Sequence, residues 1–412
     1  MNKRCVITGL GAITPLGNDV EQYWQGLKNG VCGIDYIKKF DTTDFKVKIA
    51  GEVKDFDPEL YVPKKETKRN DMYSIYGIAA ATQAYTMSGL AEAEVDAQRF
   101  GVIVGSGIGG LWTIEEQITK LNEKGPGKVS PLFIPMAISN MAAGNIALKF
   151  GAKGICESIV TACATGTNSI GEAYRNIKHG YLDVCLAGGA EYSITRIGLA
   201  GFANLTALTT CDDPKNACKP FDKNRSGFVM GDGAGILMLE ELEHALKRGA
   251  KIYGEVVGYG ATCDAYHMTA PCEDGDGAAR AMKMAMEEAG ITPQEVGYIN
   301  AHGTSTEAND AAETAAIKLA FGEAAYQVPV SSTKSMTGHL LGAAGAIEAI
   351  ACIKALEEGF LPPTIGYSEK DEACDLDYVP NQGRKAEIRY ALSNSLGFGG
   401  HNGVLCFKKW EG

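Results

Sequence analysis

A duplicated α/β fold, stacked as α/β/α/β/α layers, is what this sequence predicts. Three observations carry the prediction. Four stretches of the first half recur in the same order in the second, short β-branched runs alternate with Ala-rich stretches, and glycine supplies 51 of 412 residues. That share, about one in eight, exceeds the ~7% norm and implies many tight turns and close backbone approaches.

Ile7-Thr8-Gly9-Leu10-Gly11-Ala12 resembles Val256-Val257-Gly258-Tyr259-Gly260-Ala261. Gly101 to Gly107 resembles Gly297 to Gly303. Ile170-Gly171-Glu172-Ala173 matches Ala346-Ile347-Glu348-Ala349, a register that places Cys163 opposite His339. Gly235 to Leu239 matches Gly403 to Phe407. The first half carries longer insertions, so the division expected is 1–250 and 251–412. Val102–Val104, Ile159–Val160, Val184–Leu186 and Val328–Ser331 read as strands. Tyr76–Met87, Asn168–Lys178, Gly277–Ala289 and Ala343–Glu358 read as helices.

Composition excludes several function classes. Hydrophobic residues at 45% and charged residues at 22% are those of a soluble globular protein. A net charge of -11 opposes wrapping nucleic acid or lying on anionic lipid. No apolar run reaches the ~18 residues of a membrane span, and Met1–Gly17 reads as a first strand and turn, not a signal peptide. The twelve cysteines are scattered, with Cys156 and Cys163 seven apart and no CxxC. They read as reduced thiols of a cytoplasmic protein, with no metal site expected.

Four motifs carry chemistry. Gly105-Ser106-Gly107-Ile108-Gly109-Gly110 fits GxGxxG, but Pro126, Pro131 and Pro135 interrupt the region where a dinucleotide fold needs its next strand. A Gly-rich turn lining a pocket is the better reading. Cys163, in Thr161-Ala162-Cys163-Ala164-Thr165, stands between a strand and a helix, where the helix N-terminus favours a thiolate and can stabilise an oxyanion. His302, in Asn300-Ala301-His302-Gly303-Thr304-Ser305-Thr306, and His339, in Lys334 to Gly345, are two of only six histidines, both in Gly/Ser/Thr loops. Gly397-Phe398-Gly399-Gly400 is a tight turn holding one large apolar side chain.

Together these motifs, with Pro220 to Gly235, resemble the β-ketoacyl-acyl-carrier-protein synthases over Val6 to Phe407. That family more often has Asp where Ser226 stands and Glu where Asp232 stands. The resemblance implies the duplicated thiolase-like fold and a decarboxylative condensation with malonyl-acyl-carrier-protein. It implies Cys163 as acyl acceptor, His302 and His339 as the decarboxylation pair, and Lys334 with Glu348 as a supporting pair. The backbone N–H groups of Cys163 and Phe398 would form the oxyanion hole. Thr304 and Thr306 would bind the pantetheine arm, while Ile108, Phe202 and Phe398 would shape and gate the acyl tunnel. Lys65, Lys68 and Arg69 match carrier-docking positions and, if helical, share one broad face with Lys64, the fourth residue of the candidate docking patch.

The resemblance further implies a homodimer, no cofactor beyond the phosphopantetheine that arrives on the acyl carrier protein, and a place in fatty-acid elongation. Ile108 resembles the elongating type II enzymes; a type I synthase or a polyketide ketosynthase is the alternative. Thiolases use a second Cys near the C-terminal turn, and here none follows until Cys406. A non-catalytic chain-length subunit would lack the nucleophile.

Overall fold

The computed structural model describes residues 2–412. The first half supplies strands β1 (Cys5–Ile13), β2 (Phe100–Gly105), β3 (Cys156–Glu157), β4 (Val184–Glu191) and β5 (Gly233–Glu241). The second supplies β6 (Gly254–Cys263), β7 (Val296–Asn300), β8 (Val330–Ser331), β9 (Tyr390–Gly397) and β10 (His401–Lys408). The first half is ordered β3-β2-β4-β5-β1 and the second β8-β7-β9-β10-β6, the same order. Parallel and antiparallel pairings also coincide. A short antiparallel contact, Cys5 to Ile7 against Gly254 to Val256, joins the halves into one ten-stranded sheet. The duplicated α/β architecture is therefore present strand for strand.

Each half contributes three matching helices. They are α1 (Met72–Ser88), α2 (Met141–Phe150) and α3 (Thr165–Lys178), then α4 (Asp276–Ala289), α5 (Glu307–Phe321) and α6 (Ala344–Glu358). Helices α3 and α6 each touch strands of both halves and form the middle layer. Helix α6 is buried on nearly all sides, from Ala344 to Leu356, as a helix between two sheet faces must be. The echo first seen in sequence has a packing cause. A Cβ on Gly9 or Gly11 would lie 2.0 or 1.9 Å from the carbonyls of Ala84 and Ala80 in α1. On Gly258 or Gly260 it would lie 2.0 or 1.9 Å from those of Ala285 and Ala281 in α4. Paired glycines let each outer helix rest on its strand.

Two expectations are corrected. Ile159–Val160 is not a strand; the edge strand β3 is Cys156–Glu157, and Val160 is exposed. The register between the middle helices also differs. Ala162 and Leu341 both take positive φ, +50° and +47°, at the first residue of a short 3-10 turn, and α3 and α6 begin three residues later. Gly166 packs on Ala346 and Gly345 on Thr167, reciprocal contacts about the same axis. Cys163 is therefore opposite Gly342, not His339. A three-residue slip moves a side chain by less than a turn, so the Glu172/Glu348 match misled by keeping nearly the same helix face.

All twelve cysteines are free. Among the described residues no helix is long and apolar enough to cross a membrane.

Candidate active site

The halves meet at a cavity of about 520 Å³. Cys163, His302 and His339 line it together, with Phe202, Phe398, Thr304 and Thr306. Sequence positions up to 235 residues apart thus converge because matching strand ends and loops face the same axis.

Cys163 lies on the Ala162–Ala164 turn that leads into α3. The strained φ of Ala162 is held by the loop bonds around it: Thr161 N–H donates to Thr165 Oγ1 at 2.9 Å, and Asn168 Nδ2 donates to Thr161 Oγ1 at 2.8 Å. Gly397 backs this turn so closely that a Cβ would lie 2.6 Å from Thr161 O and 3.2 Å from Cys163 N. The Phe398 N–H, one of the two amide donors that the resemblance implies, points at the Cys163 sulfur.

The thiol is not the resting thiolate the helix terminus alone predicts. Burial pushes Cys163 up to about 12, outweighing the opposite pull of Lys334 and the Phe398 N–H. A desolvated sulfur gains more from staying neutral than the turn dipoles return.

The imidazoles of His302 and His339 stand 5.3 Å apart, centroid to centroid, at 85°. Burial first, then the Lys334 charge, holds both well below the usual histidine range, so both are neutral at ordinary pH. Nδ1 of His302 and both ring nitrogens of His339 are buried without a partner. A neutral imidazole with an unspent N–H in a buried cavity is suited to receive an incoming anion. Phe228 packs edge-on against His339 at 5.3 Å.

The His302 loop is fixed by a residue the sequence did not single out. The fully buried Glu313 in α5 accepts from the N–H groups of His302 and Gly303, each at 2.8 Å, and from Asn394 Nδ2 at 3.2 Å. No sequence pattern signalled this, because apolar residues are spread around α5 and do not mark one inner face. Lys334 and Glu348 form a buried pair at 2.5 Å. Thr304 and Thr306 share a hydroxyl contact of 3.0 Å on the cavity wall.

Ile108 is not among the cavity-lining residues. It is exposed on the Gly-rich loop. The amides of Gly107 and Ile108 in that loop donate to Glu191, so the GxGxxG turn presents them to a protein carboxylate and not to a phosphate. Lys64–Thr67 is a single helical turn, which leaves Lys68 and Arg69 beyond it. Lys64 pairs with Glu59 and Arg69 with Glu66, while Lys65 and Lys68 are exposed without ion pairs among the described residues. Ser226 bonds Thr209 at 2.8 Å on the cavity wall. Asp232 is buried against Lys39 and the Ser193 and Ile194 amides.

Among the described residues no three His, Cys, Asp or Glu gather to hold a metal ion. Buried oxygens of Asn300, Ser393, Asn394 and Glu348 lack hydrogen-bond partners. Cys352, one turn beyond Glu348, touches both Asn300 and Ser393.

The family model for the β-ketoacyl synthase N-terminal domain matches residues 2–245, and that for the C-terminal domain matches 253–368. The chain belongs to the β-ketoacyl synthase family. This β-ketoacyl synthase is 54% identical over 410 residues to a Synechocystis protein named 3-oxoacyl-[acyl-carrier-protein] synthase 2, covering 99% of each chain. It is 53% identical over 410 residues to a Staphylococcus aureus protein of the same name, covering 100% of this chain and 99% of that one. Among solved structures it superposes with a TM-score of 0.93 and 36% identity on a type II polyketide ketosynthase in complex with its acyl-carrier protein, each chain covered in full. A β-ketoacyl synthase from Burkholderia phymatum gives a TM-score of 0.92 at 36% identity, covering 99% of this chain and 100% of that one. The thiolase-like fold expected from the motifs is thus the fold observed.

Proposed function

We propose that the chain elongates fatty acyl groups by decarboxylative condensation, giving a 3-oxoacyl-acyl-carrier-protein. One observation carries this reading: a buried thiol with the Phe398 N–H directed at its sulfur shares a cavity with two neutral imidazoles that keep buried ring nitrogens without partners. Cys163 takes the acyl group from the pantetheine thioester, and its proton leaves with the pantetheine thiol. The malonyl thioester then loses CO₂. Its enolate oxygen is stabilised by N–H groups of His302 and His339, each worth about 10²–10³ in rate at such a site. The enolate carbon attacks the Cys163 thioester. The tetrahedral oxyanion rests on the Cys163 and Phe398 amides, and its collapse returns Cys163, which regains a proton. Neutral imidazoles suit this sequence because each still owns one N–H donor and one acceptor.

The pantetheine arm arrives on an acyl carrier protein, and the steps above use no other cofactor. Thr304 and Thr306 are placed to receive that arm. Lys65 and Lys68 offer the free positive charge an acidic carrier needs on a chain of net charge -11. A second copy of the chain would cover the edge strand β3, beside which Ile108, Ile134, Ile138 and Val160 are exposed. That contact would complete an acyl tunnel at Ile108. Twelve free thiols fit a reducing compartment, and we place the reaction in the cytoplasm. A polyketide ketosynthase is the second reading, but the polyketide relative is 36% identical against 54% for the fatty-acid-type name. Turnover with acyl and malonyl carrier protein should yield CO₂ and a 3-oxoacyl product in equal amounts. CO₂ without the product, or no turnover at all, would overturn the reading.

A further inference from the structure

Glu191, the last residue of β4, is fully buried and has no ion-pair partner among the described residues. Its carboxylate accepts five hydrogen bonds. Oε1 takes the hydroxyls of Ser106 (3.0 Å) and Ser193 (2.9 Å) and the Ile108 N–H (3.3 Å). Oε2 takes the N–H groups of Gly107 (2.8 Å) and Gly342 (3.0 Å). A buried anion satisfied only by neutral donors is costly to keep, and burial lifts this one to about 7.

The internal symmetry shows what this carboxylate replaces. Strands β4 and β9 end at Glu191 and Gly397, at matching positions of their hairpins. Gly342 is the counterpart of Cys163. The Gly342 N–H is thus the mirror image of an oxyanion-hole donor, and here it donates to Glu191. The same oxygen holds Gly107, where an added Cβ would lie 3.7 Å from Ala162 O, next to Cys163. Gly342 in turn belongs to the turn that begins two residues after His339.

We propose that Glu191 is a positioning residue. Its Oε2 spans the Cys163 side and the His339 side of the cavity, and the span sets the decarboxylating imidazole against the nucleophile. The inference rests on the roles given above to Cys163 and His339. It requires reach, not charge. Aspartate keeps the charge but withdraws the oxygens by one methylene, so it cannot hold Gly107 and Gly342 together. Glutamine keeps the reach. Its carbonyl can serve Gly107 and Gly342 while its amide donates to the Ser106 and Ser193 hydroxyls, which can reverse; only the long Ile108 N–H bond of 3.3 Å is given up.

The test measures acyl transfer onto Cys163, CO₂ release from malonyl carrier protein, and thermal midpoint, each on the full chain. E191D is expected to slow CO₂ release about tenfold, the usual cost of a buried donor left unpaired, with acylation largely retained. E191Q is expected to recover most of that loss. The reverse pattern, E191Q slow and E191D normal, would replace reach by charge and overturn the proposal. Equal loss of both steps with a lowered midpoint would reduce Glu191 to a merely structural residue and overturn it too. Wild-type chain that never acylates Cys163 would overturn the underlying reading, a failure visible before either variant is made.

Discussion

The turn Ala162-Cys163-Ala164 and the turn Leu341-Gly342-Ala343 are the same piece of structure used twice, yet one holds the proposed nucleophile and the other has no side chain to offer. Both start with a residue at φ near +50° and both open a middle-layer helix. At Cys163 the space beyond the turn is open cavity, because the facing strand ends in Gly397. At Gly342 the facing strand ends in Glu191, and a Cβ would lie 2.7 Å from Glu191 Oε2 and 2.4 Å from Gly107 N. Duplication thus supplied two elbows, and the residue at the end of the opposing strand decided which became reactive. The second half contributes His302 and His339 from the loops around its closed elbow.

Five experiments break or sharpen that contrast. Cys163→Ala removes the open elbow's only reactive atom and should abolish condensation; residual 3-oxoacyl product above background would contradict it. His302→Ala and His339→Ala, each removing one enolate donor, should lower CO₂ release by about 10²–10³. They should spare much of the Cys163 acylation. Gly342→Ala overpacks the closed elbow and should cost about 1–3 kcal/mol in denaturant unfolding. Gly201→Ala, where a Cβ meets nothing within 4 Å, is its control and should not destabilise. Charge reversal at Lys65 and Lys68 together should raise KM for carrier-bound substrate a few-fold at low salt, the scale of exposed ion pairs. A small pantetheine thioester should be unaffected, and equal loss with both substrates would remove the docking role.

The smallest expected effect is a null one. Both histidines are held below 6.5, so lowering pH through 6.5 should leave the rate of CO₂ release unchanged. Glu191 and Glu313, both lifted by burial to about 7, titrate in the same window, so a fall near pH 6.5 that persists in E191Q and E313Q would show that at least one imidazole protonates there. The linked stability has a defined sign. The unfolded chain takes up the histidine protons that the folded site refuses, so their contribution is present above about 6.5 and lost as pH falls below it.

Much of this was readable from the residues. The glycine pairs at 9/11 and 258/260 reported the helix-on-strand packing directly, because no other residue fits there. The loops around Cys163, His302, His339 and Phe398 were legible as Gly/Ser/Thr-rich element ends, and they do meet in one cavity. The register between the halves was not, since an error of three residues leaves a helix face almost unchanged. Glu191 and Glu313 were invisible for a different reason. A buried glutamate satisfied by backbone amides has no spacing rule: the amides Glu313 holds lie 10 and 11 residues away, and those of Glu191 lie 83 to 151 residues away. The charge state of Cys163 was misjudged because a helix terminus is a local feature, whereas burial by the opposite half is not.

The measurement closest to the central claim is intact-mass and peptide mapping of the chain after incubation with acyl carrier protein thioester, run beside CO₂ release for wild type, Cys163→Ala and His339→Ala. The account predicts a single acyl adduct on the peptide containing Cys163, absent from Cys163→Ala. It predicts the same adduct in His339→Ala although CO₂ release there has collapsed. An adduct on another cysteine, or one that persists in Cys163→Ala, would contradict it.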